Sequence, residues 1–389
     1  MKVKLGDLLK VEHGFAFKSE NYVDNGNTVL VTLGNISDKN SFKINEDKIT
    51  FYGADYPEEY NLVEGDLIMP LTEQVVGLFG NTAFVPKYKN YQFVLNQRVG
   101  KVIVDKTKTN KDFIHHLLAL DYVKNQLEAR ASGTRQRNIS PESIYDVSVY
   151  VPSLEKQNKI GDILKSIESQ IERNNAMVQK LQVLGHTIYS DTFRDCKTTC
   201  SLMNFPYIHL IKQGIDVFKG KKHYIATANV VDDNLNFDTS KITFDNREGR
   251  ANMQPIKNSV WFAQMKNSVK HIFVSDNDDY LVDNYIFSTG FYGFQCDDIA
   301  YEFMVETISL PYFEKVKDKM ANGAIMASIN SDSLHLIEIP SPTIEQLSAY
   351  HERVKDIYMQ ISAIKTESHK LSKLKEKLLP LLINGQLSV

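Results

Sequence analysis

The spacing of apolar residues changes at Pro152, where short strand-like runs give way to a long helical pattern. Within residues 160–181, the seam positions alternate in steps of four and three residues, which is a heptad pattern. Residues 350–371 repeat this pattern, and it continues to Leu378. Each stretch predicts a helix of about 35–40 residues, roughly 55 Å long. The second helix is expected to break at Pro380, because proline cannot donate a backbone hydrogen bond.

Two positions of the heptad seams are polar. Asn174 interrupts the first stretch and Ser368 interrupts the second, at different heptad levels. A polar seam residue can fix the register and orientation of paired helices at some cost in stability. The alternative interpretation is that both residues are imperfect seam positions without that role.

The regions outside the heptad stretches are typical of β-rich domains. Residues 1–110 and 205–300 contain short runs of Val, Ile, Phe, Tyr and Thr, separated by turn signals such as DNGN at 24–27. Each region is expected to close with a short helix, near 110–130 in the first and near 300–321 in the second. The sequence therefore predicts two mixed domains, each followed by a long helix.

The chain also carries an internal repeat. A shift of 190 residues places 132–193 on 322–383 without a gap, and a shift of 193 places KITF at 48–51 on an identical KITF at 241–244. We therefore predict an α+β fold with two β-rich domains, two long helices and an internal pseudo-two-fold repeat. Two copies related in this way would pair their helices antiparallel, with one β-rich domain at each end. The predicted segments are 1–152, 153–195, 196–341 and 342–389.

Composition agrees with an ordinary globular protein. Of the 389 residues, 42% are hydrophobic and 24% are charged, which allows two domains with separate cores. No apolar run approaches the ~20 residues of a membrane span, and no secretory signal is evident at the N-terminus. Three cysteines, an odd number, fit a reducing compartment better than a disulfide scaffold. We therefore expect a cytoplasmic protein without membrane contact.

The sequence lacks the motifs of common enzymes. It contains no glycine-rich nucleotide-binding motif, no His-Glu-x-x-His and no Gly-x-Ser-x-Gly. His115 and His116 fall in an apolar helix, where packing explains them, and Cys196 and Cys200 lack a second ligand pair at zinc-binding spacing. We therefore predict no catalytic residue, no metal and no cofactor.

Polar and basic residues are concentrated in loops between the apolar strands, although the net charge of −3 does not by itself indicate a nucleic-acid-binding protein. The candidate contact residues of the first copy are Lys18, Asn35, Thr72, Gln74, Arg98, Arg135 and Arg137. Those of the second copy are Lys219, Lys221, Lys222, Tyr224, Asn229, Lys266, Asn267 and Lys270. Lysines beside Tyr224 combine charge that can pair with phosphate and an aromatic ring. The alternative for such lysine-rich turns is a solvated surface.

Several segments resemble the specificity subunit of type I restriction–modification systems. They include LGDLLKV at 5–11, NLVEGDLIMP at 61–70 and NQRVGKV at 96–102. The strongest match runs from SGTRQRNIS to GDIL at 132–164, and a weaker copy begins at 322. Together these segments extend the resemblance over nearly the whole chain.

The resemblance implies two variable target-recognition domains and an antiparallel coiled coil of the two long helices. Members of that family are not enzymes. Each recognises double-stranded DNA at a bipartite site and positions two methyltransferase (M) subunits and, through them, restriction (R) subunits. Methylation of adenine with S-adenosylmethionine would then belong to the partner subunits. The alternatives are a coiled-coil assembly protein without DNA contact and an autonomous nuclease.

The two copies of the junction before the long helices differ in charge. Arg135 and Arg137 of the first copy stand where the second copy has Ile325 and Ala327. Within the resemblance, these arginines are predicted to contact the DNA backbone or bases in the first half only. A solvated loop is the alternative.

Overall fold

The computed structural model describes residues 1–37, 40–74, 76–237, 239–321 and 327–387. The chain folds into two compact units, which each combine helices and strands. The first unit comprises Met1–Gln170 and Leu371–Val389, and the second comprises Ile171–Lys370. The predicted mixture of helices and strands is therefore confirmed.

Two helices of 40 residues dominate the helical content. The first long helix is Leu154–Phe193 and the second long helix is Ile344–Ile383. The second helix does not break at Pro380, contrary to expectation, and it continues for three more residues. The backbone N–H of Asn384 still donates to the Pro380 carbonyl at 3.0 Å, so the chain loses only the bond that the proline nitrogen cannot make.

The first unit is built on two four-stranded sheets. One sheet is antiparallel throughout and has the strand order Leu9–His13, Val99–Val104, Leu67–Pro70, Ala83–Phe84. The other has the order Tyr22–Val23, Phe51–Tyr52, Thr28–Val31, Gln92–Leu95, and its last pair is parallel. The remaining strands are Lys2–Lys4, Thr72–Glu73, Arg137–Asn138 and Ser148–Tyr150.

A single large core joins the first sheet to the helices of the first unit. The shorter helices are Lys111–Leu118, Asp121–Glu128 and Pro141–Tyr145. Leu67 of the sheet, Leu117 of a short helix and Leu164 of the first long helix are fully buried in this core. Leu382 and Ile383 of the second long helix pack into the same core, so both long helices contribute to it.

The second unit repeats this plan with its own two four-stranded sheets. The antiparallel sheet has the order Ile208–Leu210, Phe291–Cys296, Ser259–Ala263, His271–Val274. The mixed sheet has the order Lys241–Ile242, Lys222–Ile225, Tyr285–Ser288, Ala251–Met253, and its central pair is parallel. The other strands are Thr199–Ser201, Val230–Val231, Asn234–Leu235 and Glu338–Pro340. The shorter helices are Asp279–Asn284, Tyr301–Ser309, Pro311–Met320 and Ser331–Leu334.

The region expected to form one short helix forms two helices in each unit. In the first unit, the chain is extended at Leu120, between the helices that end at Leu118 and begin at Asp121. In the second unit it is extended at Leu310, and Pro311 begins the next helix. Proline suits the first helical position but disfavours a helical residue before it, which explains the second interruption.

The long helices contact one another in opposite directions within each unit. In the second unit, the rings of Tyr189 and Tyr350 lie 5.9 Å apart, and Asn174 donates to Glu367 at 3.2 Å. The polar seam residue Asn174 is therefore bonded across the helix pair. Gly185 lies inside the first long helix, where a larger residue would not fit. A Cβ at this position would come within 2.7 Å of the Tyr358 hydroxyl oxygen.

The first unit shows the same direction of contact. Lys375 of the second long helix donates to Glu168 of the first at 2.9 Å. Leu382, further along the second helix, shares the core with Ile160, which precedes Glu168. Residue numbers thus rise along one helix as they fall along the other.

The three cysteines, Cys196, Cys200 and Cys296, carry free thiols, and Cys296 is buried. Among the described residues, no helix combines the length and apolar character that crossing a bilayer requires.

Candidate nucleic-acid interface

Three of the predicted contact segments lie side by side in the first unit. Strand Thr72–Glu73 pairs antiparallel with Arg137–Asn138, which joins residues 72–74 to the SGTRQRNIS junction at 132–140. The backbone N–H of Leu71 donates to the Arg98 carbonyl at 2.9 Å, which adds residues 96–98, called the NQR segment below. Segments that are far apart in sequence therefore lie next to one another.

The other two predicted segments of the first unit reach the same place. The N–H of Gln97 donates to the Phe15 carbonyl at 2.9 Å, which brings the chain leading to Lys18 next to the NQR segment. The N–H of Asn96 donates to the Val31 carbonyl at 3.3 Å, which does the same for the loop containing Asn35. These bonds connect the chain near Lys18 and near Asn35 to residues 96–98.

The side chains in this collection differ in exposure. Gln74, Arg98 and Arg135 are exposed, and so is Lys18, whose ammonium lies 3.8 Å from the Glu20 carboxylate. An exposed pair of this kind holds the lysine only weakly, so its charge stays accessible. These four side chains can reach a ligand without leaving an internal bond of comparable strength.

Asn35 and Thr72 are occupied within the fold. Asn35 accepts from the Thr32 backbone N–H at 2.8 Å and donates to the Lys43 carbonyl at 3.0 Å. Thr72 is buried and its hydroxyl donates to Asn138 at 2.8 Å. These bonds shape the loops that carry the exposed residues.

Arg137 is bound to two carboxylates. Its Nη1 donates to Glu73 at 2.8 Å and also to the Glu128 carboxylate, while Nη2 donates to the Glu128 carbonyl at 2.5 Å. The Glu73 side chain is fully buried, and its other oxygen accepts from the backbone N–H of Leu78 at 3.0 Å. Because a buried carboxylate needs a counter-charge, this geometry favours a structural role for Arg137. DNA contact stays a prediction for Arg135.

In the second unit, the exposed members of the predicted set are Lys219, Lys221, Lys266 and Asn267. Lys222 is partly buried and donates to the Val282 carbonyl at 3.2 Å, and burial lowers the pKa of its ammonium group. Lys270 donates to the Thr227 carbonyl at 2.7 Å. These two lysines therefore hold neighbouring loops together.

Asn229 and Tyr224 also serve the fold of the second unit. Asn229 accepts from the Ala226 backbone N–H at 2.9 Å, as Asn35 does from Thr32 in the first unit. Tyr224 is 3% exposed and packs in a core with Ile242 and Ile286. Tyr224 lies on a central strand of its sheet, and its buried ring is not accessible for stacking on a base.

The junction of the second unit makes the same backbone bonds as the first. The N–H of Ile329 donates to the Gln264 carbonyl at 3.0 Å, and the N–H of Ile139 donates to the Leu71 carbonyl at 3.0 Å. Met265 bridges to Ser328, at the place where strand 72–73 pairs in the first unit. Residues 322–326, including Ile325, lie outside the described residues.

The repeat does not preserve the residues Glu73 and Arg137 of this ion pair at the aligned positions of the second junction. The repeat shifts align Glu73 with Lys266 and Arg137 with Ala327. The acid and the base are therefore replaced together. Sequence reasoning missed Glu73 and Glu128 as partners of Arg137, and the signal available was a single acid in the apolar strand LTE.

Comparison with known proteins points to one family. The family model described as type I restriction modification DNA specificity domain matches residues 1–182. The type I restriction enzyme MjaVIII specificity subunit of Methanocaldococcus jannaschii is 29% identical over 174 residues, which are 44% of this chain and 40% of that protein. The EcoBI specificity subunit of Escherichia coli is 25% identical over 182 residues, covering 46% and 35% respectively. The matched regions thus span less than half of these curated relatives.

A solved structure shares the fold over most of its length. The crystal structure of a type I restriction–modification S subunit from M. genitalium matches with a TM-score of 0.57 and 12% identity. The match covers 98% of this chain and 96% of that chain. Residues 1–182, slightly under half of the chain, are thus similar to the type I restriction modification DNA specificity domain, and 98% of the chain shares its fold with a solved S subunit.

Proposed function

We propose that this chain is the DNA specificity subunit of a type I restriction–modification complex and recognises a bipartite double-stranded site. The supporting observation is that each unit presents exposed polar and basic residues, and that the junction before the long helix is held by equivalent backbone bonds in both units. The M. jannaschii and E. coli relatives carry the name of specificity subunits of type I restriction enzymes. Two reading surfaces in one chain are what a split DNA site requires.

In the proposed architecture, the whole chain is divided into two recognition domains and two helical segments. We propose target-recognition domains at 1–152 and 196–341, a central helical segment at 153–195 and a C-terminal one at 342–389. The two helices would form an antiparallel coiled coil between pseudo-two-fold copies. The opposed helix contacts within each unit and the matching junction bonds support this arrangement.

Partner subunits would supply the chemistry. We propose that two M subunits, and through them R subunits, assemble on this chain, which itself catalyses nothing and binds no cofactor for methylation. Such a complex would act on DNA in the cytoplasm. The exposed surface described above offers positioning and recognition groups, and base flipping would belong to the methyltransferase.

We propose that the exposed side chains of the predicted set make the DNA contacts. In the first unit these are Lys18, Gln74, Arg98 and Arg135. In the second unit they are Lys219, Lys221, Lys266 and Asn267. Lysine and arginine would pair with phosphates or guanine, and the amides of Gln74 and Asn267 would suit adenine. The other predicted residues would hold these loops in place.

Mobility shifts of the assembled complex test this proposal. Arg98→Ala and Arg135→Ala should each weaken binding to the target duplex, whereas Lys159→Ala, an exposed charge removal on the first long helix, should not. A phosphate contact should lower the slope of log K against log salt by about 0.9 per charge. Equal binding of target and scrambled duplexes would favour the assembly-protein alternative instead.

A domain exchange tests the division of labour between the units. Replacing residues 1–150 with the corresponding part of another specificity subunit should change one half of the recognised sequence and preserve the other. A change in both halves would contradict two independent reading surfaces. Shortening a long helix by one heptad should alter the spacer that the complex tolerates between the halves.

A further inference from the structure

Two adjacent histidines in the first unit meet a glutamate from the first long helix. His115 and His116 lie on helix Lys111–Leu118 and are 2% and 3% exposed. Nε2 of His115 lies 3.9 Å from Oε1 of Glu168, and Nε2 of His116 lies 3.7 Å from Oε2. The three ligand atoms all lie within 4.8 Å of one another. Packing in an apolar helix does not explain why both rings aim at one carboxylate.

One of these nitrogens lacks a bond that its burial calls for. Nε2 of His116 has no hydrogen-bond partner among the described residues. A buried polar atom without a partner destabilises the fold, so its presence needs an explanation. In a neutral imidazole with the proton on Nδ1, Nε2 presents its lone pair and can bind a metal ion.

The neighbours of the cluster orient its ligands. Nδ1 of His115 lies 2.6 Å from the Thr82 hydroxyl, and when Nδ1–H donates to that oxygen, Nε2 presents its lone pair to the cluster. Lys375 donates to Oε1 of Glu168 at 2.9 Å and leaves Oε2 facing His116. Metal-binding histidines and carboxylates are commonly held by such outer bonds.

The geometry points to a divalent transition-metal site, best suited to Zn²⁺, formed by His115, His116 and Glu168. In a tetrahedral zinc site with bonds near 2.0–2.1 Å, the ligand atoms are roughly 3.3–3.5 Å apart, so the widest pair in the cluster needs to approach by up to about 1.5 Å. Two imidazoles and one carboxylate are borderline ligands that suit zinc better than calcium or magnesium. Glu168 is one-quarter exposed and provides an entry path for the ion.

The metal would cross-link elements of the first unit. The histidines lie on a short helix of the domain and Glu168 lies on the first long helix, so one ion would fasten the domain to its helix. Binding of an ion to the folded state alone raises its stability in proportion to the logarithm of ion concentration over Kd. This inference concerns the free chain and does not depend on DNA recognition.

Zinc titration of the full chain, first stripped with a chelator, tests the inference. We expect one Zn²⁺ per chain by equilibrium dialysis, and a rise in Tm of roughly 5–10 °C at a zinc concentration of about 100 times the Kd. His116→Gln and Glu168→Gln should each abolish both effects while preserving the far-ultraviolet circular dichroism. Co²⁺ should give a visible absorption band in the parent chain that both variants lack.

Two further variants separate a metal site from a packing role. His351→Gln removes a histidine that is paired with Glu302 at 2.8 Å in the second unit, and it should leave zinc binding unchanged. Thr82→Val keeps the shape of the residue that holds His115 and should weaken zinc binding about 10–100-fold. Absence of zinc binding by the parent chain would overturn the inference. Binding that survives in both His116→Gln and Glu168→Gln would also overturn it, since the ion would then lie elsewhere, for example on the thiols.

Discussion

Arg137→Ala should destabilise the first unit instead of only weakening DNA binding. The guanidinium donates to Glu73 at 2.8 Å and also to the Glu128 carboxylate. Without it, Glu73 keeps the backbone N–H of Leu78 but loses its counter-charge in a fully buried position. In the variant, the carboxylates of Glu73 and Glu128 would lie near each other without the guanidinium that pairs with both in the parent chain.

The expected cost follows from the burial of the three groups. Removing one partner of a buried ion pair costs about 3–5 kcal/mol. Arg137 and Glu128 are 22% and 18% exposed, so water can enter after the truncation and reduce the penalty. We therefore expect a loss of about 2–4 kcal/mol, which corresponds to a Tm lower by roughly 5–15 °C for a unit of this size.

Thermal unfolding of the full chain, followed by circular dichroism, measures this effect. Arg135→Ala is the matched control, because the same residue type is removed two positions away from an exposed site, and it should change stability by less than about 0.5 kcal/mol. The double variant Glu73→Gln with Arg137→Ala should recover most of the loss, since the glutamine can still accept from Leu78 without carrying a charge.

The opposite pattern would refute the reasoning. If Arg137→Ala kept the parent Tm and reduced DNA affinity, the guanidinium would be a DNA contact and the ion pair with Glu73 would contribute little. If Arg135→Ala lowered the Tm as much as Arg137→Ala, the junction as a whole, and not the buried carboxylate, would carry the effect.

Three further substitutions test the packing of the two units. Gly133 has φ 107°, and a Cβ there would lie 2.1 Å from the Gln136 carbonyl oxygen, so Gly133→Ala should lower the free energy of unfolding by about 3 kcal/mol. The control Gly65→Ala, at φ 81° with no atom near the new Cβ, should cost about 1 kcal/mol. Equal costs would contradict the close approach at Gly133. Gly185→Ala should destabilise the second unit by about 1–2 kcal/mol in urea because of Tyr358, and a gain in stability would show that the helices separate freely. Lys365 and Gln182 hold the pKa of Asp233 below its ordinary value of 3.8, although burial alone would raise it. Asp233→Asn should therefore lower the free energy of unfolding by about 1–2 kcal/mol at neutral pH. The difference in unfolding free energy between variant and parent should shrink as the pH falls below 3.8, and a difference that is independent of pH would exclude the ion pair.

The long helices could be predicted because their information is local. The heptad seam lies within 40 consecutive residues, and both helices formed where the seam indicated. The prediction was wrong at Pro380, where the helix was expected to end because of the proline. A proline near the last turn removes one backbone bond, and the neighbouring residues continue the helix.

The roles of individual loop residues could not be predicted because they depend on distant partners. Arg137 is 64 residues from Glu73, so its sequence neighbours give no sign of the pair. Tyr224 looked like part of a lysine-rich turn, but it lies in a strand that is central in its sheet and covered on both faces. Glu168 is 52 residues from His116, so the histidine pair alone indicated only packing.

Genome-wide mapping of DNA modification, with this chain present and deleted beside its methyltransferase, measures the proposed function most directly. We expect one bipartite sequence, two short elements separated by a fixed spacer, to lose its modification when the chain is deleted. Modification that does not depend on the chain, or a dependent motif without a spacer, would contradict the proposal that the chain reads DNA with two units.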